Sequence, residues 1–291
     1  VGPAGYQNLY IYFLKGVLRE RHEGSLGDSF LGNWVEEDSS FLFFSEPAGK
    51  LISKLLRVQP NLELVDTYSF TYEQWQGAKP EILRIDQFLL VPPWEKEGRA
   101  EGHIRITLDP GVVFGNGLHP TTRDCLRALA FAARERPLGS VLDLGTGSGV
   151  LAVAAALLGA ERVLAIDLNP LCAKTARRNA ELNHLQEAIE VVAGKAEDFL
   201  RERADLVVGN LHYELIRDLL ENRSFDQGER VLLSGLMRTQ ARDVRARLID
   251  RGFQITGEWD HEMTWFTYVA SKEEEAGARR SLPGDGSRSG R

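Results

Sequence analysis

Apolar and polar positions follow two different rhythms along this chain. Over the first ninety residues, short apolar runs alternate with glycine-rich or charged breaks. "LYIYFL", "FLFFS", "NLELVDTYSF" and "EILRIDQFLLV" are rich in aromatic and β-branched residues and predict strands. "HEGSLGDSFLGN", punctuated by glycine, reads as a loop between the first two. One segment has a longer period: Leu51, Ile52, Leu55 and Leu56 of "AGKLISKLLRV" share a single stripe at helical spacing. A small α+β domain over residues 1–91 is the expectation.

Pro92-Pro93 and the polar "EKEGRAEGH" interrupt this pattern, so residues 92–112 read as a linker. From Val141 the rhythm becomes strand, helix, strand, helix. "VLDLG", "RVLAID", "AIEVVAG", "DLVVGN" and "RVLLSGL" predict strands. "VLAVAAALLGA", "PLCAKTARRNAELN", "YELIRDLLE" and "RTQARDVRARLIDRG" predict helices. Such alternation implies a parallel sheet covered on both faces. "FQITGEWD" and "WFTYVASK" then follow each other without a helix, which predicts an antiparallel hairpin at the end of the sheet. The expected fold class is α/β: a Rossmann-like, mostly parallel seven-stranded sheet over residues 113–270 behind a smaller N-terminal α+β domain. The glycine-rich, charged "EEEAGARRSLPGDGSRSGR" predicts a disordered tail over residues 271–291.

Charge and cysteine content narrow the field. A net charge of -7 argues against a broad polyanion-binding surface, so direct nucleic-acid binding is not expected. Two cysteines make no disulfide framework, no signal-like start is evident and no run of about 18 apolar residues is present. A cytoplasmic protein away from membranes is expected. "HEMTW" lacks the second histidine of a zinc-protease helix, the histidines and cysteines have no metal-ligand spacing, and Ser148 lacks the glycines of a nucleophile elbow.

The chemistry concentrates in "VLDLGTGSGVLA". Asp143 leads Gly145, Gly147 and Gly149 at the end of the first parallel strand, and Asp167 ends the second. Glycines let a ligand approach the backbone, and strand ends are where open α/β sheets bind ligands. The dinucleotide fingerprint requires its last glycine where Val150 stands. Asp-x-Gly-x-Gly-x-Gly instead resembles the first motif of methyltransferases that use S-adenosylmethionine. Asp143 would sit near that cofactor's ammonium, Asp167 would accept its ribose hydroxyls, and Gly145 and Gly147 would line it. A tight strand–helix turn without any ligand is the plainer alternative.

Three segments together, "LDPGVVFGNGLHPTTRDCL", "VLDLGTGSGVLA" and "VVGNLHYEL", resemble in order and spacing the bacterial ribosomal protein L11 methyltransferase family. The likeness runs from about Asp66 to Ala270 and includes "YEQWQGAKP" and "LLVPPW". It implies methyl transfer from S-adenosylmethionine to a lysine side chain or α-amine of a basic ribosomal protein. Carried over by position, it puts cofactor contacts on Thr122, Gly145, Asp167 and Asn210. Asn210 is also the candidate catalytic residue: its side-chain carbonyl and a neighbouring backbone carbonyl can accept two amine hydrogens and aim the nitrogen lone pair. Each has a structural alternative, namely helix capping for Thr121 and Thr122 and a turn-forming role for Asn210. Phe114 could face a sulfonium or plug the seam between domains. His212 and Glu214 could relay a proton or simply be solvated.

The chain departs from the family at Asn116 and Leu118, where threonines are usual, and at Gly209, where alanine is. "NLHY" also resembles the Asn-Pro-Pro-Tyr motif of adenine methyltransferases, with Tyr213 as the stacking aromatic. A methyltransferase of a nucleobase amine or small molecule, or a non-catalytic cofactor-binding protein, is therefore the alternative reading.

Overall fold

The computed structural model describes residues 7–77, 81–95 and 102–272. The N-terminal strands β1 (Asn8–Lys15), β2 (Phe30–Glu36), β3 (Ser39–Phe44) and β4 (Glu63–Thr71) form an antiparallel sheet of order β2-β3-β1-β4. Helix α1 (Gly49–Val58) seals one face by burying Ile52 and Leu55 among Leu14, Leu42 and Phe44. The glycine-rich stretch expected to be a loop carries the start of β2 in its last four residues, Phe30 to Asn33. Its glycine is there for packing: a Cβ on Gly32 would stand 2.3 Å from Leu171 of the catalytic half.

"EILRIDQFLLV" is not one strand but a hairpin, β5 (Leu83–Ile85) and β6 (Phe88–Val91), turning through Asp86 at φ 47°. Strand β7 (Ile104–Thr107) lies within the expected linker and pairs in parallel with β6. Ile85, Phe88, Leu90, Ile106 and Leu108 share one core with helix α3 (Pro120–Glu135). By packing, this small sheet therefore shares its core with the half of the chain that contains α3. Part of that linker, residues 96–101, and the expected tail from residue 273 onward lie outside the described residues. Residues 271 and 272 close the last strand.

The large sheet has seven strands in the order β10-β9-β8-β11-β12-β14-β13. They are β8 (Ser140–Leu144), β9 (Arg162–Asp167), β10 (Ile189–Ala193), β11 (Leu206–Asn210), β12 (Arg230–Met237), β13 (Phe253–His261) and β14 (Trp265–Lys272). Strands β8 to β12 pair in parallel, and β14 runs antiparallel to both β12 and β13. Helices α4 (Val150–Leu157), α5 (Pro170–Leu182), α6 (Tyr213–Glu221) and α7 (Arg238–Asp250) are the crossovers. α4 reads "VLAVAAAL" and is buried from Val150 to Ala155, which suits a helix wedged between sheet and neighbours. The chain leaves β8 toward β9 and β10, then returns to place β11 on the other side. That reversal opens a crevice at the carboxyl ends of β8 and β11.

One buried cation closes the opposite end. Arg230, 5% exposed, donates to the carbonyls of Ala132, Arg136 and Pro137 at the end of α3 and to Asp205 O. Arg230→Ala would strand those carbonyls, so we expect it to lower stability by about 3 kcal/mol, read as a shift in the urea midpoint. Among the described residues no helix is long and apolar enough to cross a membrane.

Candidate functional site

The parallel register sets the site. Leu144 is opposite both Ile166 and Gly209, so Gly145, Asp167 and Asn210 emerge side by side at neighbouring strand tips. Gly145, Gly147 and Gly149 all have positive φ, at 68°, 56° and 81°. Packing explains each of them. Added Cβ atoms would stand 2.3 Å from Leu211 Cδ2, 2.8 Å from the Phe114 carbonyl oxygen and 3.0 Å from Ala176, respectively. Glycines alone therefore do not distinguish a ligand site from a tight turn.

Polar atoms around the turn do. Asp143 is 1% exposed; its Oδ2 accepts the Thr146 hydroxyl at 2.6 Å while its Oδ1 has no partner. Thr122, also 1% exposed, has a buried hydroxyl without a partner. The threonine pair thus divides. Thr121 engages His119 Nδ1 at 2.8 Å within the α3 cap, whereas Thr122 is left over. A buried, unpartnered carboxylate oxygen and a buried, unpartnered hydroxyl are costly unless something else satisfies them. Burial, helped by the Asp167 charge, pushes the Asp143 carboxyl up to about 6, against the pull of the Thr146 hydroxyl. A cation placed beside it would lower that value again.

Asp167 is held differently. Its Oδ2 accepts Gly147 N–H and its Oδ1 accepts Asn169 N–H, both at 2.9 Å, and the Cys172 thiol bonds the carboxylate as well, which leaves it one further lone pair. Burial raises its pKa while those two N–H groups oppose the rise.

Asn210 is fixed by a device the sequence reading passed over. Strand β12 bulges between Leu233 and Leu236, and Gly235 stands there at φ 88°. A Cβ on Gly235 would lie 2.2 Å from the Leu211 carbonyl oxygen and 3.3 Å from Asn210 Oδ1. Leu211 N–H bonds Ser234 O at 3.2 Å, and the Leu211 side chain packs on Gly145. The bulge therefore presses the Asn210 turn onto the glycine turn. A glycine following serine in an apolar strand was the available signal.

A second missed group fixes the loop ahead of α3. Asn179, fully buried on α5, accepts Asp109 N–H and donates to the Asp109 and Ser148 carbonyls. Ser148 in turn donates its N–H to Phe114 O and its hydroxyl to Gly115 O. From the other side α2 (Tyr72–Gln76) holds the same loop: Trp75 Nε1 donates to Val112 O and Gln76 Nε2 to Gly111 O. The departure at Asn116 belongs to this latch, because its Nδ2 donates to Gln76 O and Oε1.

Other candidates are held elsewhere or exposed. Tyr213 donates its hydroxyl to Asp243 on α7 at 2.9 Å, so it is not held as a stacking platform. His212 and Glu214 are exposed. Phe114 is 51% exposed, in edge contact with His119, which also meets Trp265 at 5.1 Å between centroids. It does not plug the seam.

Comparison with known proteins adds identity to this geometry. The family model described as ribosomal protein L11 methyltransferase (PrmA) matches residues 52–273. The ribosomal protein L11 methyltransferase of Anoxybacillus flavithermus is 32% identical over 253 residues, covering 84% of this chain and 78% of the relative. That of Geobacillus thermodenitrificans is 38% identical over 201 residues, which span 68% of this chain and only 64% of the relative. A crystal structure of ribosomal protein L11 methylase from Lactobacillus delbrueckii subsp. bulgaricus aligns with TM-score 0.58 and 30% identity, over 67% of this chain and 100% of that one. The chain belongs to the ribosomal protein L11 methyltransferase (PrmA) family.

Proposed function

We propose that this protein methylates amine nitrogens of ribosomal protein L11, using S-adenosylmethionine bound at the glycine turn. Within this family, the observation that carries the reading is the pair of buried, unpartnered atoms, Asp143 Oδ1 at the end of β8 and Thr122 Oγ1 in the first turn of α3. They match the ammonium and carboxylate end of an amino acid: a carboxylate accepts from the one, and a hydroxyl donates to the other. The remaining lone pair of Asp167 suits a ribose hydroxyl, and the backbone of Gly145 and Gly147 lines the ligand. Bound there, the cofactor supplies a methyl group already activated by a sulfonium.

The chain's own residues then have two tasks. The first is orientation. Asn210 Oδ1 and the adjoining backbone carbonyl accept hydrogens from the incoming amine, which turns its lone pair toward the crevice; holding the reacting atoms in line supplies most of the acceleration. The second is deprotonation. A lysine of pKa ~10.4 costs about 4.6 kcal/mol to neutralise at pH 7, and an α-amine near ~8 about 1.4 kcal/mol. Partial desolvation at the crevice and the cofactor's positive charge both lower that cost.

Incubating the purified protein with methyl-labelled S-adenosylmethionine and purified L11 tests the reading. Label is expected on L11 amines; its absence there, with the cofactor bound, refutes it. Gly235→Ala provides a geometric check. The added methyl displaces the Asn210 turn, so kcat should fall about a hundredfold, as about 1 Å of misplacement does. Cofactor affinity, measured by calorimetry, should change far less.

A further inference from the structure

The face of the N-terminal sheet opposite α1 is paved with aromatic rings. Trp34 pairs across strands with Phe41, while Phe43, Ile11 and Tyr68 form the next row. Trp75 from α2 stands edge-on to Phe43 at 5.4 Å and lies 6.0 Å from Phe70. An ordinary seam would bury these rings against the catalytic half. Here only Val112 and Val113 of the opposing wall close on Ile11 and Phe43, and beside that contact the wall, with residues 114–116 and 118–120, leaves a cavity of about 860 Å³. Tyr68 on one wall is 38% exposed and Phe114 on the other 51%.

The cavity's charge is one-sided. Among the described residues, Glu36 is the only acid lining it, and no lysine or arginine does. His119, at one end, is shifted toward its neutral form by burial and by nearby His261. Aromatic faces plus one carboxylate attract cations, and the cations they favour are large and poorly hydrated. A primary ammonium keeps its water; an N-methylated one gives it up more cheaply.

We propose that this cavity binds the methylated ammonium group of a modified acceptor, the chemical class of product that the adjoining crevice would release. The assignment rests on the proposed activity for its ligand, though not for its geometry. The wall formed by Phe114 and Gly115 touches the cavity on one side and Ser148 of the glycine turn on the other. A freshly modified side chain therefore has only that wall to pass.

Three capped pentapeptides with a central lysine separate the possibilities: one unmodified, one trimethylated on the lysine, and one carrying the neutral carbon isostere of trimethyllysine. Binding to the full chain is followed by tryptophan fluorescence, since Trp34 and Trp75 line the cavity. The trimethylated peptide is expected to bind at least tenfold more tightly than either of the others. Trp34→Leu and the surface change Glu36→Gln are each expected to lower that affinity several-fold. Equal binding of all three peptides, preference for the neutral isostere, or indifference to both substitutions would overturn the proposal. Selective binding in a protein that transfers no methyl group would leave the cavity assigned and count against the activity. Methyl transfer without selectivity would do the reverse.

Discussion

Replacing Asn210 with alanine is expected to lower kcat for L11 methylation a hundredfold to a thousandfold. The loss of one group that orients reactants or stabilises charge in a crevice typically has that size. The argument rests on how tightly the residue is placed. It ends β11 opposite Ser234, its neighbour Leu211 packs on Gly145, and the Gly235 bulge backs the turn. Little else near that strand tip can take over, because His212 and Glu214 face solvent and Tyr213 is bonded to Asp243. Steady-state kinetics with parallel calorimetry distinguishes the outcomes. A fall in kcat that outstrips any loss of cofactor affinity supports the orienting role; an unchanged kcat removes it.

Asp143→Asn should act in the opposite direction on stability and on binding. The wild-type carboxyl has its pKa raised from 3.8 to about 6 in the folded state. Between those values the folded protein retains a proton that the unfolded chain releases, so stability falls as pH rises through that window. By 1.36 kcal/mol per unit the loss reaches roughly 3 kcal/mol and is complete above pH 6. Asparagine does not ionise, and the unliganded variant should be more stable than wild type at pH 7.5 by up to that amount. Cofactor binding, which places an ammonium beside the ionised carboxylate, should weaken at least a hundredfold at the same pH, as the loss of one partner from a buried ion pair does. Wild-type affinity should also decline as pH drops below 6, while that of the variant stays flat. Thermal melts and calorimetry between pH 5 and 8 read both effects. A variant that binds as well as wild type would exclude Asp143 from the ammonium site.

The parts of the fold that could be read from the chain are those where local pattern and tertiary demand agree. The strand–helix alternation after Val141 and the two adjacent terminal strands both appear in the sheet order. β2 was hidden because Gly32, needed for the approach of Leu171, looks like a loop residue when its neighbour in space is unknown. β7 was hidden because four residues beside a charged, proline-bearing stretch carry too little pattern. At the site, Asp143, Gly145, Gly147 and Asp167 stand out by spacing, and Thr122 and Asn210 by resemblance. Asn179, Gln76 and Gly235 brace the turns and loop around them through contacts across 24 to 70 positions of chain, for which a single sequence has no periodicity to offer.

Residues 109–120 are a partition with two tenants. Glycine-turn atoms grip their backbone from one compartment, while Trp75, Gln76 and the aromatic sheet hold them from the other. Any displacement that widens one chamber narrows its neighbour. Thermodynamic reciprocity then requires that whatever factor an occupant of the aromatic chamber imposes on nucleoside affinity, the nucleoside imposes in return.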